Sequence, residues 1–268
     1  MTLLTSRQNP KIKQIRSLGS RKRRQEQGVF VVEGIRHVGE AVESGAWIDF
    51  LLYAPELLTS DYAYSLITQL NLKNIPVFST TPDIFADLAD KEHPQGILAV
   101  VRQKIIPLES LSKDNFSWGV AIVSPQDPGN LGTLMRTLDA AGADGLIVLE
   151  HGTDIYHPTS VRASMGTIFW KPVVYATLAE FRAWQNVNNF HLYGTSAKGS
   201  VNFTEANYER PAILLLGSER EGLNEEQIAM CDSLINLPMR GHATSLNLSV
   251  AAGILLYEMG EKLNSGCG

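Results

Sequence analysis

The amino-acid sequence predicts two consecutive α/β domains, and three observations support this. Short apolar runs alternate with segments of helical spacing along nearly the whole chain of 268 residues. Strands of the second half, such as residues 118–124, are apolar throughout, which is typical of parallel strands covered on both faces. Residues 104–117 break the alternation and contain Pro107, so we place a linker there, between a domain of residues 1–107 and a domain of residues 117–268.

The first half is predicted to begin with a basic helix and to continue as strands separated by helices. Asn9 and Pro10 are typical of an N-cap followed by a proline in the first helical turn. The predicted strands cover residues 29–34, 50–54, 76–79 and 96–101. The predicted helices between them cover residues 34–45, 60–71 and 82–90.

The second half repeats the alternation and places three loops at comparable positions. The predicted strands cover residues 118–124, 145–150, 173–176, 190–197, 212–219 and 233–238. The predicted helices cover residues 131–142, 157–166, 178–186, 224–230 and 247–263. In open parallel sheets, ligands bind beyond the carboxyl ends of the strands. Loops rich in glycine or proline follow strands at 124–130, 217–222 and 237–246, so we expect a ligand site there.

The composition is that of a soluble globular protein, with 44% hydrophobic and 19% charged residues. No apolar run is long enough to cross a bilayer, so we expect no membrane association. The two cysteines, Cys231 and Cys267, lie far apart and in no metal-ligand spacing. This cysteine usage favours a reducing compartment, and we expect a cytoplasmic protein without a bound metal.

Charge is distributed unevenly along the chain. Residues 1–24 carry eight basic side chains and no acidic one, whereas residues 108–268 carry ten basic and seventeen acidic side chains. A basic segment on an otherwise acidic protein indicates a polyanionic partner at one end of the molecule. The pattern alone fits RNA, DNA or an acidic protein, and a solvated helix face would explain it equally well.

Each of the three loops, taken alone, has a purely structural explanation. Asn130 could cap the helix that follows it, and Arg136 could be an ordinary surface arginine. The spacing of Gly217 and Gly222 is neither that of a dinucleotide fingerprint nor that of a P-loop, and a strand-to-helix turn would account for it. Asn247 could cap the last helix.

Together, however, the loops resemble the three motifs of SpoU/TrmH-type RNA methyltransferases, the ribose-methylating branch of the SPOUT superfamily. The matching segments are Asn130 with Arg136, Gly217-Ser218-Glu219 with Gly222-Leu223, and Leu237-Pro238-Met239 with Ser245-Leu246-Asn247-Leu248-Ser249. The resemblance covers about residues 118–263. It extends weakly into residues 30–41 and 93–101, which are similar to the family's substrate-binding domain, of a ribosomal-protein-like α/β fold.

The resemblance implies a fold, a cofactor and an assembly. The second domain would be an α/β trefoil knot with a parallel sheet, binding S-adenosyl-L-methionine, and two copies would form a homodimer through this domain. The implied cofactor-binding residues are Thr195, Ser196, Gly217, Gly222, Leu237, Met239 and Leu246. The implied catalytic residues are Arg136, Asn130, Glu219, Ser245 and Asn247.

The reaction implied by the resemblance is methylation of a ribose 2′-hydroxyl, in ribosomal RNA by the two-domain layout, with transfer RNA as the alternative. RNA phosphates would then be contacted by the basic residues of the first half, namely Arg16, Arg21, Lys22, Arg23 and Arg24. Arg136 would stabilise the developing alkoxide or act as its base, and we favour the first role.

Two other classes of function remain open from the sequence. One is an RNA-binding or assembly factor that keeps this fold without catalysis, although the motif residues are all present. The other is a hydrolase that uses Ser218 or Ser245 with one of the six histidines. The chain lacks the G-x-S-x-G elbow of the α/β-hydrolases, which argues against the second class.

Overall fold

The structure is a computed structural model that describes residues 2–89 and 93–265. The chain divides into two compact units. The first contains the residues up to Lys104 together with Tyr156–Trp170, and the second contains Ile105–Ile155 and the residues from Lys171 onward. Within the described residues, no helix combines the length and the apolar character that a membrane span requires.

The first unit is built on a mixed five-stranded sheet in the order β1-β4-β3-β5-β2. Its strands are β1 (Thr2–Leu4), β2 (Val29–Glu33), β3 (Ile48–Tyr53), β4 (Val77–Thr80) and β5 (Ile97–Arg102). Its helices are α1 (Pro10–Ser17), α2 (Arg21–Gln27), α3 (Ile35–Glu43), α4 (Asp61–Leu72), α5 (Pro82–Leu88) and, from the later segment, α7 (Pro158–Ala163). β5 runs antiparallel to β2 and β3, whereas β4 runs parallel to β1 and β3.

The second unit is built on a seven-stranded sheet in the order β10-β12-β9-β11-β6-β7-β8, in which all neighbours are parallel. Its strands are β6 (Trp118–Val123), β7 (Leu146–Leu149), β8 (Val173–Ala176), β9 (His191–Thr195), β10 (Val201–Asn202), β11 (Ala212–Leu216) and β12 (Ser233–Asn236). Its helices are α6 (Pro128–Ala140), α8 (Leu178–Asn188), α9 (Glu225–Ala229) and α10 (Leu248–Ser265). Every residue of β6, β7 and β11 is buried, as the continuous apolar runs predict.

The expected division at residues 1–107 and 117–268 differs from the structure in two places. Residues 105–116 belong to the second unit, and residues 156–170 belong to the first. The ring of Tyr156 lies 4.6 Å from that of Phe30, and the ring of Phe169 lies 6.4 Å from the same phenylalanine. These aromatic contacts bury the segment beside β2. They join residues more than a hundred positions apart, so periodicity along the chain could not indicate them.

Local signals explain where several helices begin. α6 begins at Pro128 rather than at residue 131, because Asp127 is its N-cap and accepts a hydrogen bond from the backbone N–H of Asn130 (2.7 Å). The single basic helix expected after Asn9 is two helices, α1 and α2, separated by a turn. The three-residue strand β1 is too short to carry a pattern, and the sequence did not predict it.

Candidate active site

A cavity of about 290 Å³ opens in the second unit at the carboxyl ends of β9 and β11. The residues that line it come from all three loops and from the start of α10: Asn130, Thr195, Leu216, Gly217, Ser218, Glu219, Leu246, Asn247, Leu248, Ala251 and Leu255. The sheet order explains the convergence, since β9, β11 and β6 are neighbours and point the same way. The loops of residues 124–130, 217–222 and 237–246 therefore meet at one edge.

The loop after β11 closes on itself through its backbone. Ser218 and Gly222 exchange two backbone hydrogen bonds, of 3.2 and 3.0 Å, and Gly222 has a φ of 69°. A Cβ on Gly217 would collide with the backbone of Gly222 and Leu223. At Gly217 the close neighbour of the backbone is thus the loop itself. A side chain at this position would open the turn, whether or not a ligand binds.

The carboxylate of Glu219 fastens this loop to the start of α6. It accepts hydrogen bonds from the backbone N–H groups of Gln126 (3.1 Å) and Asp127 (3.3 Å). A negative charge at this point also complements the N-terminal end of the helix dipole. Glu219 thus connects the first and second loops, which are separated by about ninety residues in the chain.

The side chains of Asn130 and Asn247 connect the first loop to the third. Asn247 Nδ2 donates to Asn130 Oδ1 at 2.9 Å. Asn247 Oδ1 accepts from the backbone N–H of Ser249 at 2.9 Å and from its hydroxyl at 2.6 Å, as a helix cap does. Asn130 itself lies in the first turn of α6 and is not its cap. The two amides therefore hold the chain before α10 against the start of α6.

Six of the predicted site residues line this cavity, and six do not. Those that line it are Asn130, Thr195, Gly217, Glu219, Leu246 and Asn247. Those outside its lining are Arg136, Ser196, Gly222, Leu237, Met239 and Ser245. Arg136 is exposed on α6, two turns beyond the cavity, and Ser245 is exposed directly before Leu246. Their roles stay predictions.

The sequence reasoning missed part of the cavity wall. Leu248, Ala251 and Leu255 lie on one side of α10, at the spacing of a helix face. This spacing is visible in the sequence, but an apolar helix face more often packs on a core than lines a ligand site. Leu216, which the sequence places inside the predicted strand of residues 212–219, lines the cavity as well.

The basic residues of the first unit have mixed surroundings. Arg24 is 1% exposed, and its guanidinium donates to the carbonyl oxygens of Leu18 (2.8 Å) and Gly19 (3.0 Å). The prediction that Arg24 contacts RNA is therefore wrong, because it is buried and ties α2 to the turn after α1. Arg16, Arg21, Lys22 and Arg23 are exposed.

An acidic residue just beyond the counted segment offsets part of this basic charge. Glu26 pairs with Arg23 at 2.8 Å and with Lys22 at 3.9 Å, at the spacings of one helix face. The basic segment therefore has an acidic neighbour that a charge count over residues 1–24 leaves out. The other three cations of α2, Arg21, Lys22 and Arg23, remain exposed to solvent and able to meet a polyanion.

Metal chemistry has no candidate site in the part of the chain that the structure describes. Across residues 2–89 and 93–265, no three histidine, cysteine, aspartate or glutamate side chains come together to hold an ion. Among the same residues, no histidine lines the cavity beside Ser218. His242, the histidine of the third loop, is exposed and lies outside the lining.

The parallel sheet and the cavity at its carboxyl edge define an α/β enzyme domain with a small-molecule site, preceded by a separate α/β unit. Residues 118–257 match the model of the SpoU rRNA Methylase family, and residues 9–99 match an MRM3-like substrate binding domain. The chain therefore belongs to the SpoU rRNA methylase family.

Curated relatives and solved structures agree with this membership. A 23S rRNA (uridine(2479)-2′-O)-methyltransferase of Streptomyces viridochromogenes is 34% identical over 93% of this chain and 88% of the relative. The 23S rRNA (guanosine(2553)-2′-O)-methyltransferase RlmP of Bacillus subtilis is 29% identical over 97% of this chain and 99% of the relative. An rRNA methyltransferase of Sinorhizobium meliloti, solved with S-adenosylmethionine bound, is 32% identical with a TM-score of 0.89, covering 98% of each chain.

These comparisons confirm the family, the α/β fold class, the methyltransferase class and the cofactor that the three motifs imply. A second solved relative, the SpoU methyltransferase AviRb of Streptomyces viridochromogenes, also carries S-adenosylmethionine, at 32% identity and a TM-score of 0.86 over 96% of this chain. The family favours methyl transfer over the hydrolase alternative. The chain therefore has the fold of an RNA methyltransferase, and its cofactor is S-adenosylmethionine.

Proposed function

We propose that this chain transfers a methyl group from S-adenosylmethionine to a ribose 2′-hydroxyl of ribosomal RNA, and that it acts in the cytoplasm. The observation that carries the proposal is the cavity in which all three motif loops meet, joined by Glu219 and by the Asn130–Asn247 hydrogen bond. Ribosomal RNA is favoured because two relatives that match both units are named for 23S rRNA, whereas others of similar coverage are named for tRNA/rRNA without distinction. A solved relative that concerns 2-OH methylation of tRNA matches only 55% of this chain.

The cavity has the chemistry that the cofactor requires. Leucine and alanine side chains of β11 and α10 give it an apolar wall, which suits an adenine ring and the carbon chain around a sulfonium. The hydroxyl of Thr195 and the backbone of residues 216–219 supply polar groups that can orient the cofactor. When bound, S-adenosylmethionine supplies an electrophilic methyl group, so the protein needs only to position and activate the nucleophile.

The activating residue that we propose is Arg136. A ribose hydroxyl must release its proton to solvent water as its oxygen attacks, and negative charge develops on that oxygen. Arginine keeps its positive charge in proteins, so it serves better as an electrostatic stabiliser than as a base. Because Arg136 is exposed and outside the cavity lining, the RNA would bring its ribose or the neighbouring phosphate to this side of α6.

The remaining motif residues are proposed to position this reaction. Asn130 and Asn247 hold the two sides of the cavity together and have amide groups that can orient the ribose. Ser245 lies exposed beside them and offers a hydroxyl. Glu219 is a positioning residue, because its carboxylate is directed to backbone N–H groups. Ser196, Gly222, Leu237 and Met239 are proposed to complete the cofactor site when the cofactor binds.

We also propose that the chain is a homodimer through the second unit. Val250, Ile254 and Tyr257 are 52%, 40% and 54% exposed, and their spacing places them on one face of α10. An apolar stripe of this kind on an otherwise packed helix is typical of an interface. Replacing Ile254 with aspartate should yield a monomer in analytical ultracentrifugation. A wild-type chain that sediments as a monomer at all concentrations would contradict the dimer.

The activity is tested with S-adenosylmethionine labelled in its methyl group. The purified chain is incubated with ribosomal RNA from cells that lack it and, in parallel, with transfer RNA. We expect label in ribosomal RNA at a position that resists alkaline cleavage, because a 2′-O-methyl group removes the hydroxyl that attacks the adjacent phosphodiester. Label in transfer RNA alone would favour the alternative substrate. Label on a base, or in no RNA, would contradict the proposal.

A further inference from the structure

Trp47 of the first unit is the feature that the fold and the methyl transfer leave unexplained. Its side chain is 68% exposed, although tryptophan is on average highly buried in proteins. The guanidinium carbon of Arg102 lies 4.2 Å from the centre of its ring, in a cation–π contact. The ring is thus held from one side by a cation while most of its surface stays in contact with solvent.

The position of Trp47 is fixed by its neighbours rather than left to a mobile loop. The backbone N–H of Arg102 donates to the carbonyl oxygen of Trp47 at 2.9 Å. Arg102 Nε pairs with Asp49 at 2.7 Å, which orients the guanidinium. β3 begins at the next residue, Ile48, which is 4% exposed. The exposed ring is therefore presented from the start of β3, an inner strand of the sheet.

A shallow depression of about 260 Å³ lies beside the ring, between the ends of α3 and α4. Its walls include apolar side chains such as Val42 and Leu70, and Lys73 contributes an exposed positive charge. An aromatic plane next to an apolar depression and a lysine matches the chemistry of a nucleotide, which has a flat base and an anionic phosphate.

The basic helix α2 reaches the same end of the sheet. Val29 pairs with Arg102 across β2 and β5, and Ile48 pairs with Val101 across β3 and β5. The start of β2, into which α2 leads, and the start of β3, which follows Trp47, therefore lie on either side of the end of β5. The side-chain amide of Gln103 also donates to the carbonyl oxygen of Arg24 in α2, at 3.2 Å. The cations of α2 and the exposed tryptophan consequently share one end of the first unit.

We propose that Trp47 is a stacking platform for an unpaired RNA base, with Arg102 and Lys73 beside it to contact the flanking phosphates. Stacking on an aromatic side chain needs a base that is free of its own helix, so the occupant is a single-stranded segment rather than a duplex. The proposal rests on the proposed function only in taking RNA as the ligand. It adds a specific contact, made by a residue outside all three motifs.

The test uses the full-length chain and a single-stranded oligoadenylate probe, with binding measured by fluorescence anisotropy at several salt concentrations. Trp47→Ala should raise the dissociation constant about 5- to 150-fold, the range for loss of one base–aromatic stack. The slope of affinity against salt should not change, because no charge is removed. Trp47→Phe should keep most of the affinity. Tyr64→Ala, which removes another exposed aromatic of the same unit, should bind as the wild type does.

A second measurement keeps the proposal testable if Trp47→Ala unfolds. Oligoadenylate should quench the tryptophan fluorescence of the wild type, and the quenching should be lost in Trp47→Phe, which retains the other tryptophans. Equal affinity of Trp47→Ala and the wild type, or quenching that persists in Trp47→Phe, would overturn the platform. Weakened binding by Tyr64→Ala to the same extent would also overturn it.

The platform and the methyl transfer fail in different ways. Methylation of ribosomal RNA together with unchanged oligoadenylate binding by Trp47→Ala would remove the platform and leave the activity. If the wild type methylates no RNA but Trp47→Ala loses oligoadenylate binding, the platform would stand and the proposed activity would be wrong. The competing occupant of this surface is a partner protein. If a protein binds there instead of RNA, Trp47→Ala should bind RNA as the wild type does.

Discussion

The hydrogen bond between Asn130 and Asn247 allows a sharp test of how the cavity is held together. Each aspartate substitution alone should be tolerated. In Asn130→Asp the new carboxylate still accepts from Asn247 Nδ2, 2.9 Å away. In Asn247→Asp the amide of Asn130 can rotate and donate instead, and a carboxylate oxygen still caps Ser249. The double variant, by contrast, places two acceptors and two negative charges against each other.

The size of this effect follows from the geometry. Two charges about 3 Å apart repel by about 1.5 kcal/mol even in a water-like dielectric. The lost hydrogen bond adds about 1 kcal/mol. We therefore expect the double variant to be less stable than the sum of the single variants by about 2.5 kcal/mol. The rate of methyl transfer by the double variant should also fall, by about 10²-fold, because displacement of a positioning residue by about 1 Å can cost that much in rate.

The assay is urea unfolding of the wild type, both single variants and the double variant, with cofactor affinity measured by calorimetry. The coupling should shrink below about pH 4, where carboxyl groups take up protons. Ser249→Ala is the control, because it removes only the hydroxyl that donates a hydrogen bond to Asn247 Oδ1. Additive free energies of unfolding would refute the reasoning, because they would show that the two side chains do not meet in solution.

Three further predictions concern catalysis, RNA binding and a buried thiol. Arg136→Ala should lose about 10²–10³-fold in turnover while keeping cofactor affinity; near-normal turnover in the methylation assay would remove Arg136 from the mechanism. Replacing Arg21, Lys22 and Arg23 with glutamine should weaken RNA binding and reduce its log–log salt slope by up to about one unit per residue, and equal slopes would mean a solvated face. Burial raises the pKa of Cys231 to about 12, so its alkylation rate, followed by peptide mapping, should still rise at pH 10, whereas a plateau near pH 9 would contradict the burial.

The strands of the second half were predictable because burial on both faces leaves a continuous apolar run. β6 and β11 begin at the predicted residues 118 and 212. The start of α6 was missed by three residues, although the signal was present. Asp127 followed by Pro128 is a cap and a first-turn proline, whereas the prediction began at the first apolar residue of the periodic face.

Arg24 shows that amino-acid composition does not predict which basic side chains are exposed. α2 contains no apolar residue, so its sequence, RKRRQEQ, suggests a helix exposed on all sides. A short helix packed on a domain must still turn one side inward, and here that side is an arginine whose head group finds two carbonyl oxygens. The partners belong to the turn after α1, and no count of charges along the chain can indicate them.

Half of the predicted catalytic and cofactor-binding residues line the cavity, but sequence could not indicate what most of these residues touch. Glu219 binds the backbone at the start of α6, Asn247 binds Asn130, and Gly217 leaves space for the loop's own backbone. The carboxyl edge of a parallel sheet brings such loops near one another without fixing their distances. Cross-loop hydrogen bonds fix them, so these residues shape the site before any ligand enters. It follows that loss of activity on truncating Glu219 or Asn247 does not by itself identify a residue that contacts RNA or cofactor, and that variants which preserve the hydrogen bond are the ones that can separate contact from support.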